Sequence, residues 1–185
     1  MQEAEVILRI AMHYIREKRT YEDVRVSIDG AHIKTKNTVH FDVNGFLQEN
    51  GFSKCDGDKE RWQGYYQMPG FAPRIAVNTK PGVGDVQIIC PDGKVLYIEC
   101  KKFKSGNSPE YPAMREAIGQ LMTGCPDDAN IIPVVGVPWT EKSETLACQW
   151  RHDQKNRRVQ QAGINFILVK ENGEVCWNPE PADKT

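Results

Sequence analysis

Three residues in the stretch from 80 to 104, KPGVGDVQIICPDGKVLYIECKKFK, are of types and spacing that do chemistry: Asp85, Glu99 and Lys101. The segment reads as a glycine-marked entry, a strand, a tight turn and a second strand. In the turn, Pro91 suits the first central position of a type I turn, and Gly93 the left-handed position of a three-residue loop with a bulge. Cys90 then faces Lys94. Counting outward pairs Ile89 with Val95, Gln87 with Tyr97 and Asp85 with Glu99. Alternation puts Asp85, Glu99 and Lys101 on one face, and Val86, Ile88, Leu96, Ile98 and Cys100 on the other, as core. Two directly opposed like charges are unfavourable unless neutralised, and a hard divalent cation bound through oxygen does that. The chemistry this implies is metal-dependent and directed at a phosphodiester. The alternative for the trio is an exposed salt bridge of Lys101 with the two acids, worth little.

Other elements must position this hairpin. Residues 2–18 have Val6, Ile10 and Tyr14, with Ile7, Ala11 and Ile15, at helical spacing, and Glu3 and Glu5 largely outside that stripe. Residues 24–34 alternate Val24, Val26 and Ile28 with polar residues and reach Asp29-Gly30, a hairpin signal. A helix is expected over 39–50, ended by Gly51, with a strand from Phe52. Residues 55–80 mix turn residues with Trp62, Tyr65, Tyr66 and Phe71 and with Arg61 and Arg74. That composition suits base and phosphate contacts and equally an irregular strand pair on a core. After the hairpin, Lys101, Lys102 and Lys104 lead into a loop and a helix to about Met122, with Met114, Ala117, Ile118 and Leu121 buried and Glu116 and Gln120 on its flank. Residues 131–137, IIPVVGV, read as a buried parallel strand. Thr140 caps the next helix, Asp153 caps a second piece, Gly163 ends it and 164–169 is a further strand. His32 and His40 have no partner at metal spacing and read as ordinary residues.

Composition sets bounds on class. The chain has 185 residues, 39% hydrophobic, enough for one core. We expect an N-terminal helix and hairpin extension over 1–38 packed on a core over 39–177, with a tail over 178–185. The net charge is −1, so any nucleic-acid surface must be local. The six cysteines lack zinc-ligand spacing and read as reduced thiols. No leader is expected, and no apolar run approaches the roughly 18 residues of a membrane span. These features fit a soluble cytoplasmic protein. Arg151, Lys155 and Arg158 recur at helical spacing, either as a phosphate-tracking face or as a solvated one.

The element order and the residues Asp85 and Glu99-Cys100-Lys101 resemble the PD-(D/E)xK superfamily, the restriction-endonuclease-like nucleases. Gly82 and Gly84 stand where many members have small residues, although the proline usual before the Asp is replaced by Gly84, with Pro81 lying earlier. The resemblance covers about residues 39–169. It implies an α/β fold with a mixed central sheet flanked by helices and an Mg²⁺-dependent DNA endonuclease, Mn²⁺ being a possible substitute. Asp85, Glu99 and the carbonyl of Cys100 are then the metal ligands, and Asp42 stands for the acid many members supply from a preceding helix. Lys101 orients water or stabilises charge on the phosphate, and Gln120 falls on the helix where several branches carry a glutamine. Lys102, Lys104, Arg61, Arg74, Arg151, Lys155 and Arg158 are candidate nucleic-acid contacts. RNA stays open beside DNA, and cutting both strands calls for a homodimer. The competing expectation is a nuclease-fold subunit that binds nucleic acid or a protein without cutting. A Cys100 nucleophile is opposed by the register, which points its thiol away from the acids.

Overall fold

The computed structural model describes residues 1–36, 38–56, 61–80 and 84–177, with only the backbone of Gln154. Pro81, Gly82 and the tail from Asn178 lie outside the described residues.

The chain begins with helix α1 (Glu3–Arg16), whose Val6, Ile7, Ile10, Ala11, Tyr14 and Ile15 are all buried, as their spacing predicts. Strand β1 (Val24–Ser27) follows, then a short helix α2 (Gly30–Ile33) and a ribbon of β2 (Lys34–Thr35) and β3 (Thr38–Val39). Helix α3 (Val43–Glu49) precedes β4 (Ser53–Lys54), β5 (Gly64–Gln67) and β6 (Arg74–Asn78). The central hairpin is β7 (Val86–Ile89) and β8 (Val95–Cys100). Helix α4 (Glu110–Gly124), strand β9 (Ile131–Pro138) and helix α5 (Glu141–His152) come next. A 3-10 turn (Gln154–Asn156), α6 (Arg157–Gln161), β10 (Asn165–Val169) and β11 (Val175–Trp177) complete the order.

Among the described residues these strands form a nine-stranded mixed sheet in the order β11-β10-β9-β8-β7-β1-β6-β5-β4, with β2-β3 separate. Parallel pairing joins β8, β9 and β10, and also β1 and β6. Helix α1 covers one face, packing on β1, β7 and β9, while α4 and α5 cover the other. Covering both faces explains why β9 reads as a continuous apolar run. Gly136 makes the α1 side possible, since a Cβ there would stand 2.8 Å from Cys100 Sγ and 2.9 Å from Ile10 Cδ1. Among the described residues no helix is long and apolar enough to cross a membrane.

Two expectations change. The Asp29-Gly30 hairpin does not form, because Asp29 Oδ1 accepts the Ala31 N–H at 2.9 Å and caps α2 instead. Strand β1 is therefore an interior strand of the sheet, parallel to β6 (Val24↔Ile75) and antiparallel to β7 (Arg25↔Gln87). The helix expected from residue 39 starts at Val43, since Val39 pairs with Lys34 in the ribbon and Asp42 caps α3. Strand β11 carries no strong periodicity and went unpredicted. Residues 64–78, by contrast, resolve to a strand pair, with Tyr66 buried.

Candidate active site

The turn that organises the hairpin forms as its residues require. Gly93 has φ +83°, its N–H donates to Cys90 O at 2.9 Å, and the Cys90 N–H donates to Lys94 O at 2.8 Å. Outward from it run Ile89↔Val95, Gln87↔Tyr97 and Val86↔Ile98. Val86, Ile88, Leu96, Ile98 and Cys100 are buried. Asp85 lies one residue before β7. Its N–H donates to Ile98 O at 2.9 Å, and its carbonyl accepts the Ser27 N–H from β1 at 2.9 Å. The backbone reaches this place through Gly84, at φ +70°, where a Cβ would meet the Tyr97 ring at 2.9 Å.

The two acids converge. Asp85 Oδ2 accepts the Cys100 N–H at 2.7 Å, and Asp85 and Glu99 line the same cleft, close enough for the charge of Glu99 to act on Asp85. Burial first, then the charge of Glu99, push Asp85 up to about 7, with Glu3 adding to the rise and the Cys100 N–H and Lys101 opposing it. Glu99 is also raised, by burial first and despite the lowering by Lys101 and by Asp85. Two carboxyls that resist ionising together are what a cation relieves. Lys101 follows the strand end, is mostly buried, and holds its Nζ 3.7 Å from Glu116 Oε1 on α4.

A third acid belongs to this neighbourhood. Glu3, in the first turn of α1, is buried; its Oε2 accepts the Lys102 N–H at 3.3 Å and its Oε1 lies 3.3 Å from His32 Nδ1. Its charge raises both Asp85 and Glu99. The sequence offered a signal that pattern reading missed. Once β1 is a sheet strand, the helix before it is α1, and Glu5 there is taken by Arg9 at 2.8 Å, which leaves Glu3.

Two clefts are lined by residues of this group. One, of about 540 Å³, is lined by Asp85, Glu99, Tyr97, Gln120, Ser27 and Lys80 among others. The second, of about 420 Å³, is lined by Glu3, His32, Lys101, Lys102, Lys104 and Glu116 among others. Gln120, Lys102 and Lys104 thus come to the site. Asp42 lines neither cleft, since its Oδ1 accepts the Gly45 N–H at 3.1 Å as the cap of α3. Arg74 is drawn away by Asp23, with 2.6 Å between Nη2 and Oδ2, and stacks over Tyr65 at 4.3 Å. Arg61 is exposed, with its carbonyl bonded by Lys54 Nζ. Arg151, Lys155 and Arg158 do not share a helix face, because α5 ends at His152. Arg151 donates to Asn165 Oδ1, while Lys155 and Arg158 line a cleft of their own.

Among the described residues no group of three or more His, Cys, Asp and Glu side chains is placed to hold a metal ion. The donors present are carboxylate oxygens flanked by main chain, which suits Mg²⁺, a cation that is held by one or two carboxylates and keeps several waters. The six cysteines are free thiols, Cys100 fully buried with its thiol raised by that burial, so none is poised as a nucleophile there. No family model matches the chain, and no curated protein and no solved structure matches it.

Proposed function

We propose that this protein is an Mg²⁺-dependent DNA endonuclease, with Mn²⁺ as a substitute, built on a restriction-endonuclease-like core. The observation that carries the reading is that Asp85, tied to the Cys100 N–H, and Glu99 line one cleft in buried surroundings that push both upward. Against the reading of these residues as a salt bridge of Lys101 with the two acids, the ammonium pairs with Glu116, at 3.7 Å.

Asp85, Glu99 and the Cys100 carbonyl would hold the ion, with Glu3 beside them. When bound, Mg²⁺ supplies charge neutralisation at the phosphate and a lower pKa for an attacking water. The Lys101 ammonium, mostly buried and lining the second cleft, stabilises negative charge developing on the phosphate. The Gln120 amide, in the cleft with both acids, offers a donor and an acceptor to orient the phosphate or the water. Lys102 and Lys104 supply backbone contacts beside it. One acid pair cuts one strand, so double-strand cleavage uses two copies. Free thiols throughout accord with a cytoplasmic location.

The test is nicking of supercoiled plasmid by pure protein with and without Mg²⁺. Asp85→Ala and Lys101→Ala proteins that keep a cooperative melting transition are expected to lose it. If no duplex, branched, single-stranded or RNA substrate is cut, the catalytic reading is wrong. Binding without cleavage would then identify the non-catalytic subunit.

A further inference from the structure

We infer that the β2–β3 ribbon is a duplex-DNA-binding element, carrying Lys34 and Lys36 to the phosphates that flank the acid pair. The inference rests on reading Asp85 and Glu99 as a phosphodiester site.

The ribbon is outside the nine-stranded sheet, with register Lys34↔Val39 and Thr35↔Thr38, and all four residues are exposed. Val39 is 60% exposed, so nothing in the fold accounts for an apolar β-branched side chain there. A two-stranded ribbon is marginal alone, yet this one is anchored at its base. Ile33 is buried, its carbonyl accepts the His40 N–H at 2.8 Å, and Thr35 Oγ1 donates to Ala31 O at 3.3 Å.

Charge and position indicate what it meets. Residues 30–41 contain His32, Lys34, Lys36 and His40 and no acid, in a chain whose net charge is −1. Among the described residues no ion pair engages Lys34 or Lys36, whereas Lys101, Arg74 and Lys170 are all paired. Helix α2, from which the ribbon springs, forms the rim of both clefts, with Gly30 on the side of Asp85 and His32 on the side of Lys101. Lys34 is two residues from His32, at most about 7 Å along the chain. A phosphate backbone entering the cleft of His32 and Lys101 therefore comes within reach of Lys34. Two paired strands with their side chains fit a major groove about 12 Å wide. A single strand has no such groove, so a duplex is the occupant this ribbon would fit.

The experiment measures binding of the full chain to a fluorescent duplex of about 30 base pairs in EDTA, where cleavage is stopped, across a salt series. Lys34→Glu with Lys36→Glu is expected to weaken duplex binding tenfold or more and to reduce the slope of log affinity against log salt by about 2, the equivalent of two phosphates. The melting temperature should stay unchanged, since the ribbon is outside the core. Unchanged affinity and slope, equal losses on duplex and single strand, or no duplex binding by the parent protein would each overturn the inference. Cleavage in Mg²⁺ separates it from the function it rests on. If the parent binds through the ribbon but cuts nothing, the ribbon stands and the nuclease falls. If it cuts and the charge reversal changes neither binding nor cutting, the ribbon falls and the nuclease stands.

Discussion

The carboxylate of Asp85 accepts the backbone N–H of Cys100 at 2.7 Å, which ties the acid before one hairpin strand to the residue between Glu99 and Lys101 at the end of the other. The bond keeps both acids at one point although burial and mutual repulsion oppose their ionisation. The site is thus held at some expense of stability, as functional sites often are.

That expense has a sign that a melting experiment reads. Burial and the charge of Glu99 push Asp85 up to about 7 in the folded chain, against about 3.9 unfolded. A carboxyl raised in this direction contributes stability that is complete below its unfolded value and is lost as pH rises through its folded one. In EDTA at pH 8, Asp85→Asn should therefore melt higher than the parent, by about 2–5 °C, with the difference vanishing near pH 4. Added Mg²⁺ should raise the melting temperature of the parent and leave the Asn variant where it was. A variant that melts lower at pH 8 would show that the pair is not strained.

Glu3 and Asp42 are separable by two different readouts. Glu3→Gln keeps an acceptor for the Lys102 N–H and should lower cleavage about 10–100-fold with little change in melting, as loss of an acid supporting a metal site does. Asp42→Ala removes the cap on α3 and should lower stability by about 1 kcal/mol without lowering cleavage per folded molecule. The reverse pattern would return the third acid to Asp42.

Lys101 lowers both carboxyls from where burial alone would put them. Lys101→Met, similar in length but uncharged, should raise them further, so the pH at which Mg²⁺ begins to stabilise the protein moves upward. Cleavage should fall about 100-fold or more. An unchanged pH midpoint for metal-induced stabilisation would place the ammonium outside the field of the acids.

Gly136 has its consequence in packing. Because a Cβ there would press on Cys100 Sγ and on Ile10 of α1, Gly136→Ala should destabilise by about 1–3 kcal/mol, as overpacking does. It should also lower cleavage beyond the loss of folded protein, since both the helix carrying Glu3 and the strand end carrying Glu99 must move. Denaturant unfolding and cleavage corrected for folded fraction measure the two effects.

The sequence by itself determined what short-range chemistry decides. Pro91, Asp92 and Gly93 set the turn, the turn set the hairpin register, and alternation then put Asp85 and Glu99 on the face opposite the buried Val86, Ile98 and Cys100. The Thr140 cap of α5 and the Asp153 cap after it were legible for the same reason, because each side chain bonds to backbone within three residues. Only the tertiary structure decided where distant segments meet. The pattern of 24–28 showed a half-buried strand without showing that it would lie between β7 and β6, so Asp29-Gly30 read as a hairpin rather than a helix cap. Glu3 falls largely outside the apolar stripe of α1, and nothing local reveals that the loop of Lys102, 99 residues on, closes over it. Arg74 read as a phosphate ligand until Asp23, 51 residues away, took its guanidinium. Local hydrogen bonds are encoded within a turn of chain, whereas these partners are chosen by how buried faces stack, a property of the whole sheet.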